Sequence, residues 1–126
     1  MPGILFDPTL EGLARALTLH QRRHEVLAAN VANVETPGYR ARELDFKAAL
    51  RSAFEARPAD AALEAATPPS APIIDDPSAP VRADGNTVDV DLQMAKLSAN
   101  GGNYVALARI LGRRVALLRQ AIEGTR

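Results

Sequence analysis

His20 and His24 are the only histidines in the chain, and their i, i+4 spacing puts both on one face of a helix. That spacing can clamp zinc. The intervening Gln21-Arg22-Arg23 carries no glutamate to act as a base and places two arginines beside any incoming cation. No third ligand stands out, so the preferred reading is two helix-seam residues packed or hydrogen-bonded inside a bundle.

Other side chains with chemical potential fare no better. Asp75-Asp76 and the pair Asp89 and Asp91 resemble paired carboxylates, but their settings are a Pro-rich linker and an exposed helix start. They are expected to titrate as ordinary surface acids. Asp84-Gly85-Asn86 matches a fragment of a calcium loop, without the remaining ligands or the closing glutamate. The chain has no cysteine, which removes disulfides and cysteine metal sites, and it has no glycine-rich phosphate loop. No catalytic, metal or cofactor residues are therefore assigned, and no enzymatic activity or small-molecule substrate is expected.

The elements that would position these residues are two long helices. The first is expected from Thr9 to Val34, with the seam Leu10, Leu13, Leu17, His20, His24, Leu27, Val31 and Val34. Its alternating three- and four-residue steps are those of a coiled coil. Asp7-Pro8-Thr9 supplies capping chemistry at its start. Thr36-Pro37-Gly38 stops it, since proline cannot continue the ladder and Gly after Pro suits a type II turn. The second helix is expected from Val88 to Ile122, with the seam Val90, Met94, Leu97, Gly101, Tyr104, Ala108, Leu111, Val115, Leu118 and Ile122. Asp84-Gly85-Asn86-Thr87 reads as a turn followed by a cap, with Asp89 and Asp91 in the first helical turn.

The expected architecture is all-α: two terminal heptad helices forming a coiled-coil hairpin around a Pro-rich irregular middle. Four segments follow. Residues 1–38 hold the first helix and its turn, and 39–57 a loop with a short helix in which Phe46, Ala49, Leu50 and Phe54 share a face. Residues 58–86 form an Ala/Pro-rich linker, and 87–126 the second helix. An aromatic share of 4% with no tryptophan, against 47% hydrophobic residues overall, favours helices packed through Leu, Val and Ala. Net charge is zero, which argues against a nucleic-acid partner. No stretch reaches the length of a membrane helix, and no basic segment followed by an apolar run marks a cleaved secretory signal.

Two amides are informative. Asn30 and Asn33 lie near the end of the first helix, where asparagine is a poor interior residue. They read either as buried amides that fix register or bond a crossing chain, or as fraying ahead of Pro37. Local chemistry does not choose. Gly101-Gly102 interrupts the second helix and predicts a kink or a close helix contact. Two narrow seams pair within one molecule and still leave apolar surface uncovered, so lateral self-association is a natural outcome.

Two segments carry a resemblance. The stretch 27–42, with Asn30, Asn33, Thr36, Pro37, Gly38 and Tyr39, resembles the N-terminal signature of flagellar rod and hook proteins. The stretch 84–97, beginning Asp84-Gly85-Asn86, together with Leu44-Asp45-Phe46, is similar to the proximal-rod member of that family. The resemblance spans nearly the whole chain except the linker. It implies terminal helices that pair and stack into the tube of a periplasm-spanning rod, which transmits torque. It implies export by the flagellar type III apparatus without signal-peptide cleavage. The implied partners are other rod subunits, the inner-membrane ring and its adaptor protein FliE. Phe46 and Leu50 fit the short export pattern of such substrates, and they equally fit core packing by the short helix. The alternative from another class is a soluble helical adaptor or export chaperone that binds one partner through its seams.

Overall fold

The computed structural model describes residues 7–55 and 71–124. Its elements run α1 (Pro8–Ala32), β1 (Arg42–Leu44), α2 (Phe46–Glu55), β2 (Ile73–Asp75) and α3 (Val90–Glu123). Among the described residues the chain is mostly helical, with two long helices and one small sheet.

Helix α1 starts where the Asp7 side chain accepts from the Thr9 N–H at 2.9 Å and proline occupies the first turn. It stops at Asn33, whose N–H bonds the carbonyls of Ala29 and Asn30. Helix α3 is capped by Asp89, which accepts from Leu92 N–H at 3.1 Å. Thr87 is not part of that cap. It is buried, and its Oγ1 accepts from the Ala41 N–H at 2.8 Å, so the crossing chain claims the hydroxyl.

The two helices run antiparallel. Asp7 meets Arg114, His20 meets Asn100, and Asn30 meets Gln93. At 1.5 Å per residue α1 is about 38 Å long and α3 about 51 Å. With Asp7 beside Arg114, the last turns of α3 extend past the start of α1.

A small apolar core lies where β1 and α2 pack against α1. Leu19, Leu44, Ala49 and Ala71 are buried there, with Val26 and Phe46 packed against them. Helix α2 reaches α1 at Gly12, where an added Cβ would sit 2.6 Å from the Phe54 ring. Glycine thus lets an aromatic lie directly on the helix backbone.

The sheet is absent from the sequence reading. β1 and β2 pair antiparallel in the register Arg42↔Asp75, Glu43↔Ile74, Leu44↔Ile73. Residues 71–86, within the stretch read as an irregular linker, are therefore held in place. Asp45 N–H donates to Pro72 C=O and Asp76 N–H to Ala41 C=O, at 3.0 and 2.9 Å, extending the ladder at both ends. The short β-branched run Ile73-Ile74 finds a partner that a single-segment reading does not reveal. Residues 58–70 of that linker lie outside the described residues.

The α1–α3 contact differs from a coiled-coil seam. The fully buried residues of α3 are Gln93 and Asn100, both polar, and they lie one heptad apart. Relative to the expected seam, the contact face is turned. Helix α1 presents His20 and Asn30 at the matching heights, and amides that hydrogen-bond across the interface displace the aliphatic line. Among the described residues outside the helix's own backbone, nothing lies within 4 Å of a Cβ built at Gly101 or Gly102, so they bring no other element into close contact there.

Candidate assembly framework

The two sequence motifs, about fifty residues apart, form one unit. Thr36-Pro37-Gly38-Tyr39 is a turn closed by Tyr39 N–H donating to Thr36 C=O at 3.2 Å. Gly38 at φ 72 meets the type II requirement. Across from it, Gly85 N–H donates to Arg82 C=O at 3.0 Å and Arg82 N–H to Asn86 C=O at 2.9 Å. Gly85 at φ 79 allows that tight reversal. The turns are stitched by Gly38 N–H to Asp84 C=O and Thr87 N–H to Tyr39 C=O, each 3.0 Å.

Asn86 is fully buried at this junction. Its Nδ2 lies 3.0, 3.0 and 2.8 Å from the carbonyls of Asn33, Val34 and Thr36. Its Oδ1 accepts from Val88 N–H at 2.7 Å. The carbonyls just past the end of α1 thus receive an added donor from the segment that leads into α3. Arg82 adds a guanidinium contact to the Val34 carbonyl.

Asn30 is also fully buried. Its Nδ2 donates to Arg42 C=O at 2.7 Å and Gln93 Oε1 at 2.9 Å, and its Oδ1 accepts from Arg42 N–H at 2.9 Å. It bonds a crossing chain and the second long helix together, one of the two readings open from sequence. Asn33 is local: its Nδ2 donates to Ala29 C=O, and its Oδ1 accepts from the Thr36 hydroxyl.

Next to Asn30 lies a buried charge network. Arg23 makes a two-pronged pair with Glu43 at 2.9 and 3.0 Å. Lys96 lies 2.6 Å from Asp76 and 3.4 Å from Glu43. Gln93 Nε2 donates to Asp76 Oδ2 at 3.2 Å, and the Ser78 hydroxyl and N–H serve its Oδ1. Burial pushes the Asp76 carboxyl upward, but the Lys96 ammonium and the Ser78 donors outweigh it and bring its pKa to about 2. Burial likewise raises the Glu43 carboxyl, and the Arg23 guanidinium more than offsets that, leaving it below the ordinary value. Asp76 is thus no ordinary surface acid, because β2 and α3 close over it. Asp75 beside it is exposed and pairs with Arg40 at 2.9 Å.

At His20, Asn100 Nδ2 donates to the His20 carbonyl at 2.8 Å, which leaves Asn100 Oδ1 to accept from His20 Nδ1 at 2.7 Å. That pairing sets the ring tautomer. The ring also lies 4.6 Å from Phe46. His24 is exposed, so the two histidines face different surroundings. Among the described residues, no group of three His, Cys, Asp or Glu side chains is placed to hold a metal.

The expected seam residues divide. On α1, Leu13 and Leu27 are buried, and Leu10, Leu17 and Val31 are half-buried. On α3, Leu97, Leu111 and Leu118 are half-buried, whereas Val90, Met94, Tyr104, Val115 and Ile122 are exposed. Phe46 and Leu50 are both half-buried on α2. Sequence reasoning missed Leu19, Glu43, Asp76, Gln93, Lys96 and Asn100. The legible trace was Asn100 in a helix interior, seven residues after Gln93.

Most polar groups in this framework hold one chain segment against another, as Asn30, Asn86, Glu43 and Asn100 do. A family model described as flagella basal body rod protein matches residues 10–40. That segment is α1 with its Thr-Pro-Gly turn, and the chain belongs to the flagellar basal body rod proteins. Its relatives specify the member: the flagellar basal body rod protein FlgB of Escherichia coli is 38% identical, covering 78% of this chain and 80% of the relative. FlgB of Cereibacter sphaeroides is 36% identical, covering 88% and 91%. FlgB of Salmonella typhimurium is 30% identical, covering 94% and 95%. The chain is a FlgB-family structural subunit of the flagellar basal body rod and not an enzyme. These relatives favour that role over a soluble adaptor.

Proposed function

We propose that this subunit forms part of the proximal rod and assembles through the apolar flanks of α1 and α3. The observation that carries this reading is the exposure of Val90, Met94, Tyr104, Val115 and Ile122 on a helix whose inward face is polar. A long helix with that much apolar surface outside its own subunit is suited to neighbours of like shape. In the rod, α1 and α3 engage neighbouring helices as coiled-coil partners, with Leu10, Leu13, Leu17, Leu27, Val31, Leu97, Leu111 and Leu118 between them and the exposed set outward. The rod crosses the periplasm and transmits torque for motility. Below it the subunit meets the inner-membrane ring and the adaptor FliE; above it, other rod subunits.

Export proceeds through the flagellar type III apparatus without cleavage of a signal peptide. Phe46 and Leu50 are the candidate recognition residues. Both are half-buried on α2 in the folded subunit, so they are read before the chain folds.

An in-frame deletion, scored for swimming and for rods in isolated basal bodies with plasmid rescue, tests the assignment. Loss of both, restored by the plasmid, is expected. Normal swimming with intact rods in the deletion strain would overturn it.

A further inference from the structure

Asn100-Gly101 is the chain's single Asn-Gly pair. The other asparagines, Asn30, Asn33, Asn86 and Asn103, precede Val31, Val34, Thr87 and Tyr104, whose side chains crowd the following nitrogen. Glycine leaves that nitrogen open, and its backbone freedom lets it turn back on the amide. Asn-Gly is therefore the pairing in which an asparagine amide reacts most readily with its own backbone, provided the backbone is free to bend.

The structure puts this pair at the contact between the two long helices. Asn100 is 1% exposed, and His20 engages both ends of its amide. Nδ2 donates to the His20 carbonyl at 2.8 Å, and Oδ1 lies 2.7 Å from His20 Nδ1. Gly101 lies within α3, where the helical ladder directs its N–H toward the preceding turn and away from the Asn100 side chain. Reaction thus requires the two bonds to His20 and the local turn of α3 to open together. Packing within the subunit gives no reason for glycine here. Among the described residues outside the helix's own backbone, nothing lies within 4 Å of a Cβ built at Gly101.

We propose that Asn100-Gly101 is a self-modification site that the α1–α3 contact closes. While the two helices are apart, the Gly101 nitrogen loses its proton and attacks Asn100 Cγ. A C–N bond forms, the side-chain nitrogen leaves as ammonia, and a cyclic imide results. Water then opens the imide. Cleavage at the side-chain carbonyl leaves an aspartyl residue. Cleavage at the backbone carbonyl leaves an isoaspartyl residue, in which the chain runs through Cγ. Both products lack the Nδ2 donor to the His20 carbonyl and bring a carboxylate into a buried position. The isoaspartyl product also adds a carbon to the backbone and interrupts the ladder of α3. A chain that reacts before its helices meet loses the contact it was to form.

Peptide mapping by mass spectrometry, which separates amide from acid at each asparagine, tests this. In guanidinium at mildly alkaline pH, the full-length chain should convert Asn100 at least about tenfold faster than Asn103. Gly101→Ala should remove most of that difference in the same denaturant, where folding plays no part. Chain held in isolated basal bodies, in the same buffer without guanidinium, should convert Asn100 at least about tenfold more slowly. Released from those basal bodies by guanidinium, the same chain should convert at the fast rate. Equal rates at Asn100 and Asn103 in denaturant would overturn the site. Conversion in basal bodies as fast as in guanidinium would overturn its closure by the contact.

Discussion

The Asn86 side chain donates to the Thr36 carbonyl, 50 residues earlier, at 2.8 Å from a fully buried position. The same amide nitrogen faces the carbonyls of Asn33 and Val34, so one side chain closes the end of α1 and fixes the entry to α3. The relation between the two long helices is thus constrained at this junction as well as along their contact face.

Asn86→Ala is expected to destabilise the subunit by about 2–3 kcal/mol. It leaves the buried Val88 N–H without its partner, at a cost of about 1–3 kcal/mol, and removes one of the donors to the Asn33, Val34 and Thr36 carbonyls, which keep the Thr36 N–H, Arg82 and the Tyr39 N–H respectively. Urea unfolding followed by circular dichroism should show a lower midpoint. Asn86→Asp should be no better, since it removes the donor.

Gly38→Ala should cost about 1–2 kcal/mol from backbone strain alone, because Gly38 sits at φ 72 with nothing within 4 Å of an added Cβ. Gly38→Asn should recover part of the loss, as asparagine tolerates that region. Thermal unfolding of the three proteins separates the conformational cost from any clash.

Stability should fall on acidification below the usual carboxylate range. The Asp76 pKa is lowered on folding from 3.8 to about 2, so its contribution is full above 3.8 and is lost as pH drops through about 2. The shift corresponds to about 2 kcal/mol. Glu43 moves in the same direction, because its Arg23 pair outweighs burial. Asp76→Asn should be less stable at neutral pH and should show a shallower loss between about pH 4 and pH 2. Urea midpoints across that range provide the check. An unchanged slope would mean that Asp76 is no better stabilised as an anion when folded than when unfolded.

Gly101→Leu should separate folding from assembly. The residue is in a helix interior with open space around it, so leucine fits within the subunit and gains up to about 1 kcal/mol of helix propensity. Purified protein should unfold at equal or higher temperature. Swimming should nonetheless be impaired if a neighbouring helix approaches at that position. Full motility would show that no such approach occurs there.

The sequence by itself determined the two long helices, because their apolar periodicity, the Asp7 cap and the break at Pro37 are all local, although the cap of the second moved from Thr87 to Asp89. It also determined the Thr36–Tyr39 turn, since the type II geometry demands glycine where Gly38 stands. Tertiary structure alone decided which face of α3 turns inward. Periodicity measures apolar spacing and cannot see that Gln93 and Asn100 are met by Asn30 and His20 at matching heights. The sheet and Asp76 were hidden for the same reason. Ile73-Ile74 becomes a strand only beside Arg42–Leu44, and Asp76 becomes a buried anion only beneath Lys96, in partnerships that no local stretch of sequence contains.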